Sequence, residues 1–365
     1  MAIPAPRLSR TRSVVGMSAT TGPDTNDATD PVLQKVPLGA QWPTIDPFLF
    51  CAHHLDHYPA GDGELGPAAT FEGREIGQDF AGKDGWNMYH GDHVPGFPQH
   101  PHRGFETVTV VRQGLIDHAD SLGATARFGR GDVQWLTAGG GVVHSEMFPL
   151  VDAEGPNPLH LFQIWLNLPA ADKLVDPYFT MLWAEDIPTV THTDDAGRTT
   201  TVSIYAGAID GVQPLAPPPD SWAARPESDL AIWHLDIEPG ATWTLPAAEG
   251  TDTVRVLYVF EGDGITVGSR PVGNEVGAVV RCDVPVEVAG GIEHAEVLVL
   301  QGRPIGEPVA RYGPFVMNTD QEIRQAFEDY QRTQFGGWPW DDDAPHHGPT
   351  KGRFAKHADG RVETR

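Results

Sequence analysis

The chain has 365 residues, which at about 150 residues per domain sets two domains as the expectation, and its 40% apolar content excludes global disorder. Lys plus Arg number 25 against 50 Asp plus Glu, and the resulting charge of −25 excludes direct binding of nucleic acid by phosphate neutralisation. No apolar run approaches the roughly 18 residues of a membrane helix; Leu159 to Ala170 is among the longest.

The first 35 residues read as a disordered leader. Arg7, Arg10 and Arg12 precede the first acid, Asp24, but no apolar stretch follows them, so a secretory signal is not expected. A transit peptide is the alternative, and Met17 is a second potential start. Cys51 and Cys282 are too few for a disulfide framework. Each is expected to be a small buried apolar residue in a reducing, cytoplasmic protein, with the nucleus open as well in a eukaryote.

From Val36 the hydrophobic segments become short, alternating and punctuated by Gly and Pro, the pattern of strands joined by tight turns. Thr107 to Val111 reads as a strand that turns at Gly114. Leu159 to Leu168 alternates with period two and stops at Pro169, and Val254 to Phe260 is a third strand. Pro214 to Pro219 holds four prolines and is a linker or surface loop.

The chain repeats itself weakly: Gly114 aligns with Gly262, and Ala138-Gly-Gly140 then falls near Ala289-Gly-Gly291. One all-β barrel used twice is expected, with first barrel 36–187 and second barrel 188–312. Residues 313–365 remain for a short helix and a polar tail. Thr319-Asp-Gln-Glu322 has capping-box form, and Ile323, Ala326, Phe327 and Tyr330 form one apolar stripe before Gly336-Gly337. Everything after Trp340 is expected to hang outside the second barrel, with His346 and His347 solvated.

The sharpest chemistry lies in His100-Pro-His102 and His144-Ser-Glu146. Residues i and i+2 of a strand share a face, so each pair presents two ligand atoms in one direction. Two such strands facing each other inside a barrel bring three imidazoles and a carboxylate to one point. That set suits Fe, Mn, Ni, Cu or Zn without choosing among them. Glu106 has the parity of His102 and is expected to orient a histidine from behind. Phe97 is a candidate for an apolar wall at the strand ends, as is Trp135, although core packing is the expected job of Trp135. His90 and His93 are either entrance residues or hydrogen-bonded loop residues. His53, His54, His57, His118 and His160 show no partner at ligand spacing.

His100-Pro-His-Arg-Gly-Phe-Glu-Thr-Val108, Gly131-Asp-Val-Gln-Trp-Leu-Thr-Ala-Gly139 and Val143-His-Ser-Glu146 together resemble the pirin family of the cupin superfamily. Gly306-Glu-Pro-Val309 and Gly313-Pro-Phe-Val-Met-Asn-Thr319 extend the resemblance, which covers about Asp46 to Phe354. It implies a bicupin, two tandem cupin β-barrels with a short C-terminal helix. It also implies iron, as Fe2+, held by His100, His102, His144 and Glu146 in the first barrel. Some pirins cleave quercetin as 2,3-dioxygenases; others act as transcriptional cofactors or modulators of metabolic enzymes. The implied activity is a metal-dependent dioxygenase acting on flavonol-like enolic substrates, with Glu146 taking the enol proton. Its rival is a non-enzymatic, iron-dependent regulator that contacts a protein partner. The stretch from Cys51 to His90 is longer than in compact members and puts the substrate in doubt more than the metal. In the second barrel Ala248 and Gly250 stand where His100 and His102 align, so no metal is expected there although His294-Ala-Glu296 echoes the second pair. A monomer without membrane contact completes the expectation.

Overall fold

The computed structural model describes residues 30–365; the expected leader lies outside the described residues except for its last few positions. Those positions are not leader-like. Val32–Pro37 is a strand paired antiparallel to Val276–Val280, with Val32 buried. The alternation that marks Val36 as the start of structure begins four residues earlier.

The described residues form four main sheets in two barrels, with a two-stranded hairpin beside them. In the first barrel one sheet runs in spatial order through Tyr178–Leu182, Val133–Thr137, Phe105–Gln113, Asn157–Asn167, Phe48–Tyr58 and Gln41–Trp42. The facing sheet runs through Val362–Thr364, Phe354–Lys356, Thr125–Gly129, Leu115–Asp120, Val142–Met147 and Gly96–His102. The second barrel has a seven-stranded sheet, from Val32–Pro37 through Val276–Val280, Val254–Glu261, Ala295–Gly302, Ala231–Ile237 and Thr199–Ala206 to Thr189–Thr193. Its partner sheet has four strands: Thr242–Leu245, Val286–Gly290, Ile265–Val267 and Arg270–Val272.

Strand alternation divides the apolar residues into three layers. Ile116, Phe128, Leu136, Leu159 and Leu161 fill the first barrel. Trp233, Leu235, Leu257, Val297 and Val299 fill the second. Between them Val108, Val110, Phe162 and Ile164 of one barrel meet Ile232, Val256, Tyr258 and Leu298 of the other. The middle layer joins the seven-stranded sheet of the second barrel to the first-barrel sheet that holds Phe105–Gln113 and Asn157–Asn167, because their central strands carry apolar residues on both faces.

The helix spans Asp320–Thr333, and Thr319 caps it, its hydroxyl accepting from Glu322 N–H at 3.2 Å as the capping box requires. It ends at Gln334, in the left-handed region at φ 46, two residues before the glycine pair. Its apolar stripe packs on Phe315, Phe335 and Val143, the last on the outer face of a site strand. Gly141 meets Phe335 there: a Cβ at this position would lie 2.5 Å from the ring.

The tail does not hang outside the second barrel. It crosses the first, where Phe354–Lys356 pairs with Thr125–Gly129. Two features draw it back. Phe354 and Ala355 are apolar and cover an otherwise open sheet edge. The buried Asp117–Arg127 pair has spare bonding capacity that tail groups satisfy: His347 N–H donates to Asp117, and Arg127 donates to the carbonyls of Gly348 and Lys351. His347 is therefore half-enclosed in a hydrogen-bonded position and not solvated, its Nε2 lying 3.1 Å from the Ala126 carbonyl oxygen.

Candidate metal centre

The site rests on two strands of the first barrel, Gly96–His102 and Val142–Met147. Their antiparallel register sets His100 opposite His144 and Phe97 opposite Glu146, with a bulge between Phe97 and His100. His100, His102 and His144 thereby offer ring nitrogens that all lie within 4.8 Å of one another.

The imidazoles are in the state a metal requires. His100 Nδ1 lies 2.9 Å from the carbonyl of Pro98, which can only accept, so Nδ1 carries the proton and Nε2 a lone pair. Burial pushes His100 down to about 4, and burial with neighbouring imidazoles holds His102 and His144 well below the usual range. His102 Nδ1 and both nitrogens of His144 are buried without any hydrogen-bond partner. An orphaned buried polar atom costs about 1–3 kcal/mol, so unpartnered nitrogens on two neighbouring buried rings mark a place where a cation completes the bonding. The residues present fit a metal ion.

Glu146 stands beside this triad. Its Oε2 is 3.8 Å from His144 Nε2 and accepts from Gln163 Nε2 at 2.7 Å, while Thr109 donates to Oε1 at 3.4 Å. Burial raises its pKa, opposed by His118 and by those two donors. His118, without a partner among the histidines at ligand spacing, forms an i, i+2 pair with Asp120. Its ring lies 5.5 Å from that of His144 and its Nε2 3.3 Å from Asp120.

Glu106 does not face the metal. Thr137 Oγ1 and Trp135 Nε1 donate to its Oε1 at 2.7 and 3.2 Å, and Ser221 Oγ donates to Oε2 at 2.7 Å. Its carboxylate thus joins the first barrel to the connection between Thr199–Ala206 and Ala231–Ile237 of the second. The parity argument fails at Gly104: φ +83 there turns the chain from one sheet into the other, and a Cβ would lie 2.0 Å from the Val316 carbonyl oxygen. After the turn Phe105, Thr107 and Thr109 face the barrel interior, and Glu106 faces out. Trp135 follows Glu106 to the layer between the barrels and is no part of the site wall.

Phe97 is at the mouth, among Tyr89, His90, Phe148 and His54, its ring 6.3 Å from that of His100. A second wall is Trp165, its ring tilted against that of Phe105 at 4.1 Å and lying 5.3 Å from that of His102. His90 is both an entrance neighbour and a hydrogen-bonded loop residue, with Nδ1 2.7 Å from the Gly77 carbonyl. His93 pairs with Asp62 at 3.2 Å, away from the metal residues.

The long connection after Phe48–Tyr58 brings in residues that spacing could not reveal. Tyr89 holds a left-handed backbone at φ 57, and its hydroxyl donates to Asp56 Oδ2 at 2.7 Å. His54 Nδ1, 2.8 Å from that hydroxyl, must then donate, which leaves His54 Nε2 with a lone pair. Burial lowers His54 to about 4.

In the second barrel, Ala295, Val297 and Val299 face the core, so His294 and Glu296 point outward, toward the cleft between barrels. The echo of His144-Ser-Glu146 is out of phase with it by one residue.

Comparison with known proteins agrees with this architecture. Residues 33–166 match the family model described as Pirin, and residues 232–336 match that of the Pirin C-terminal cupin domain. A Pseudomonas aeruginosa protein provisionally named a quercetin 2,3-dioxygenase is 37% identical over 240 residues, 66% of this chain and 79% of its own. Human pirin is 31% identical over 259 residues, 69% of this chain and 81% of its own. The crystal structure of quercetin 2,3-dioxygenase from Acinetobacter baumannii superposes with a TM-score of 0.65 at 26% identity, covering 84% of this chain and 98% of that one.

Proposed function

The chain belongs to the pirin family, with two cupin domains, and from that premise we propose that its first barrel is a metal-dependent dioxygenase centre of the quercetin 2,3-dioxygenase type. The observation that carries the reading is the convergence of three imidazoles, those of His102 and His144 buried with unpartnered ring nitrogens, beside the carboxylate of Glu146. Relatives and a solved structure that carry quercetin 2,3-dioxygenase names support the reaction class.

His100, His102, His144 and Glu146 would hold the ion, Fe2+ by family resemblance, with Mn, Ni, Cu and Zn also suited to the donor set. When bound, the ion supplies Lewis acidity toward an enol oxygen and a redox centre for dioxygen. The protein's own residues do the rest. Glu146, raised by burial, accepts the enol proton of a flavonol-like substrate on the carboxylate that Gln163 and Thr109 hold in place. Phe97, Tyr89 and Phe148 flank an aromatic substrate ring and keep water from the enolate. His54 offers a second proton acceptor at the mouth, fixed through Tyr89 on Asp56.

Dioxygen uptake together with loss of flavonol absorbance by the iron-loaded protein tests this reading. Turnover at enzyme-like rates supports it. Metal binding without turnover across a panel of enols would overturn it in favour of an iron-dependent regulator, and product without oxygen uptake would replace it with non-oxidative cupin chemistry.

A further inference from the structure

The outward-facing pair of the second barrel has company. Ala231–Ile237 and Ala295–Gly302 are neighbours in one sheet, with Asp236 opposite Glu296 and His234 opposite Leu298. His234 and Asp236 are an i, i+2 pair on one strand, and His294 and Glu296 are an i, i+2 pair reaching onto the next. All four therefore project from one face of adjacent antiparallel strands. This is the same construction as the first site, two such pairs in register, built on the outer face of a barrel. Asp236, His294 and Glu296 offer ligand atoms all within 4.8 Å of one another. His294 Nε2 is 2.9 Å from Asp236 Oδ1, and His234 Nε2 is 3.3 Å from Glu296 Oε2.

We propose that His234, Asp236, His294 and Glu296 form a second divalent-cation site, lying between the two barrels and separate from the first-barrel histidines. Two imidazoles with two carboxylates match a borderline transition cation of the Zn2+ kind and suit Mg2+ or Ca2+ poorly, since those prefer oxygen alone. Access is open. A cleft of about 460 Å³ reaches His234 and Asp236, lined also by Arg112, Ser203 and Tyr205. Asp236 and His294 are partly exposed, so the ligands reorient without disturbing the core.

Arg112 gives the site its particular behaviour. It comes from the first barrel's Phe105–Gln113 strand, donates to both carboxylate oxygens of Glu296, and lies over the Phe260 ring. It neutralises Glu296 when no ion is there, and an entering cation must displace it. The second site is thereby coupled to a contact between the barrels. The absence of ligands at Ala248 and Gly250 does not bear on it, because those positions align with a site inside the barrel.

Equilibrium dialysis of the full apo chain against Zn2+, with metal analysis and calorimetry, tests the proposal. Wild type is expected to bind a second equivalent beyond that of the first-barrel histidines. Asp236→Asn with His294→Ala is expected to lose that equivalent, weakening it at least tenfold, with an unchanged circular dichroism spectrum. His102→Ala is expected to keep it. Arg112→Gln is expected to tighten it severalfold by removing the competing guanidinium. A single equivalent in wild type, or a second equivalent that survives Asp236→Asn with His294→Ala, overturns the proposal.

Discussion

The two barrels carry the same short motif, His-x-Glu, with opposite results. In the first, His144 and Glu146 share the interior face with Val142, and the motif converges there with His100 and His102. In the second, Ala295, Val297 and Val299 take the interior face and push His294 and Glu296 out. A shift of one residue in a strand reverses every side chain, so the same two residue types become a buried centre or a set of groups at a domain contact. What decides is the apolar pattern around the motif and not the motif itself.

The largest effect expected from breaking the contrast is at the inner site. His144→Ala should remove most bound iron and ring-cleaving activity together, while the second barrel unfolds as before; iron analysis with oxygen-uptake assays checks this. Retained turnover without metal would refute the assignment. Glu146→Gln is expected to keep the imidazole ligands and the fold yet lower kcat by about 10²-fold or more, as loss of a proton acceptor does. Steady-state kinetics on a flavonol reads that difference.

Next in size is the tail. Ending the chain after Thr350 removes the strand on Thr125–Gly129 and the Arg353 bond to Asp132, at 2.6 Å. A loss of about 2–3 kcal/mol is expected. Calorimetry should place it in the first barrel, although the deletion is at the far end of the sequence.

The smallest effect sharpens the comparison where the barrels join. Burial raises Glu106 to about 7 from an ordinary 4.5. A carboxyl raised in the folded state binds more protons folded than unfolded between these values. Its contribution is therefore fully present below about pH 4.5 and is lost as pH rises through 7. The loss is of order 1–3 kcal/mol. Glu106→Gln should flatten that slope in denaturant midpoints taken from pH 5 to pH 8, and an unchanged slope would show that Glu106 is not its source.

Much of this was legible before the fold. The His100–His102 and His144–Glu146 pairs, the capping box at Thr319 and the doubled barrel all depend on local spacing, which a sequence displays directly. Glu106 is misplaced by counting parity from His102, and a count is reset wherever the chain changes sheet, as at Gly104. His118 lacks a second histidine at ligand spacing, and Asp120, two residues on, is the partner its sequence does offer. Tyr89 and His54 meet through a connection with few regular elements, where no periodicity reports on contact. The tail reads as solvated because its composition is polar, while the groups that draw it in, Asp117 and Arg127, lie more than 200 residues earlier. The net charge of −25 finds no counterpart at the inner site, where Glu146 is the single formal anion among the proposed ligands.

The crossing of the chain ends has a consequence for synthesis. Val32–Pro37 pairs with Val276–Val280, and Phe354–Lys356 pairs with Thr125–Gly129. Each barrel thus takes its last strand from the other end of the polypeptide. A ribosome that has made every residue of the candidate metal centre has still not made the strand that closes its sheet edge. The first barrel matures only after the second has emerged, so nascent protein carries an open edge at Thr125–Gly129 through most of translation. Such an edge is where misassembly between neighbouring nascent chains would begin.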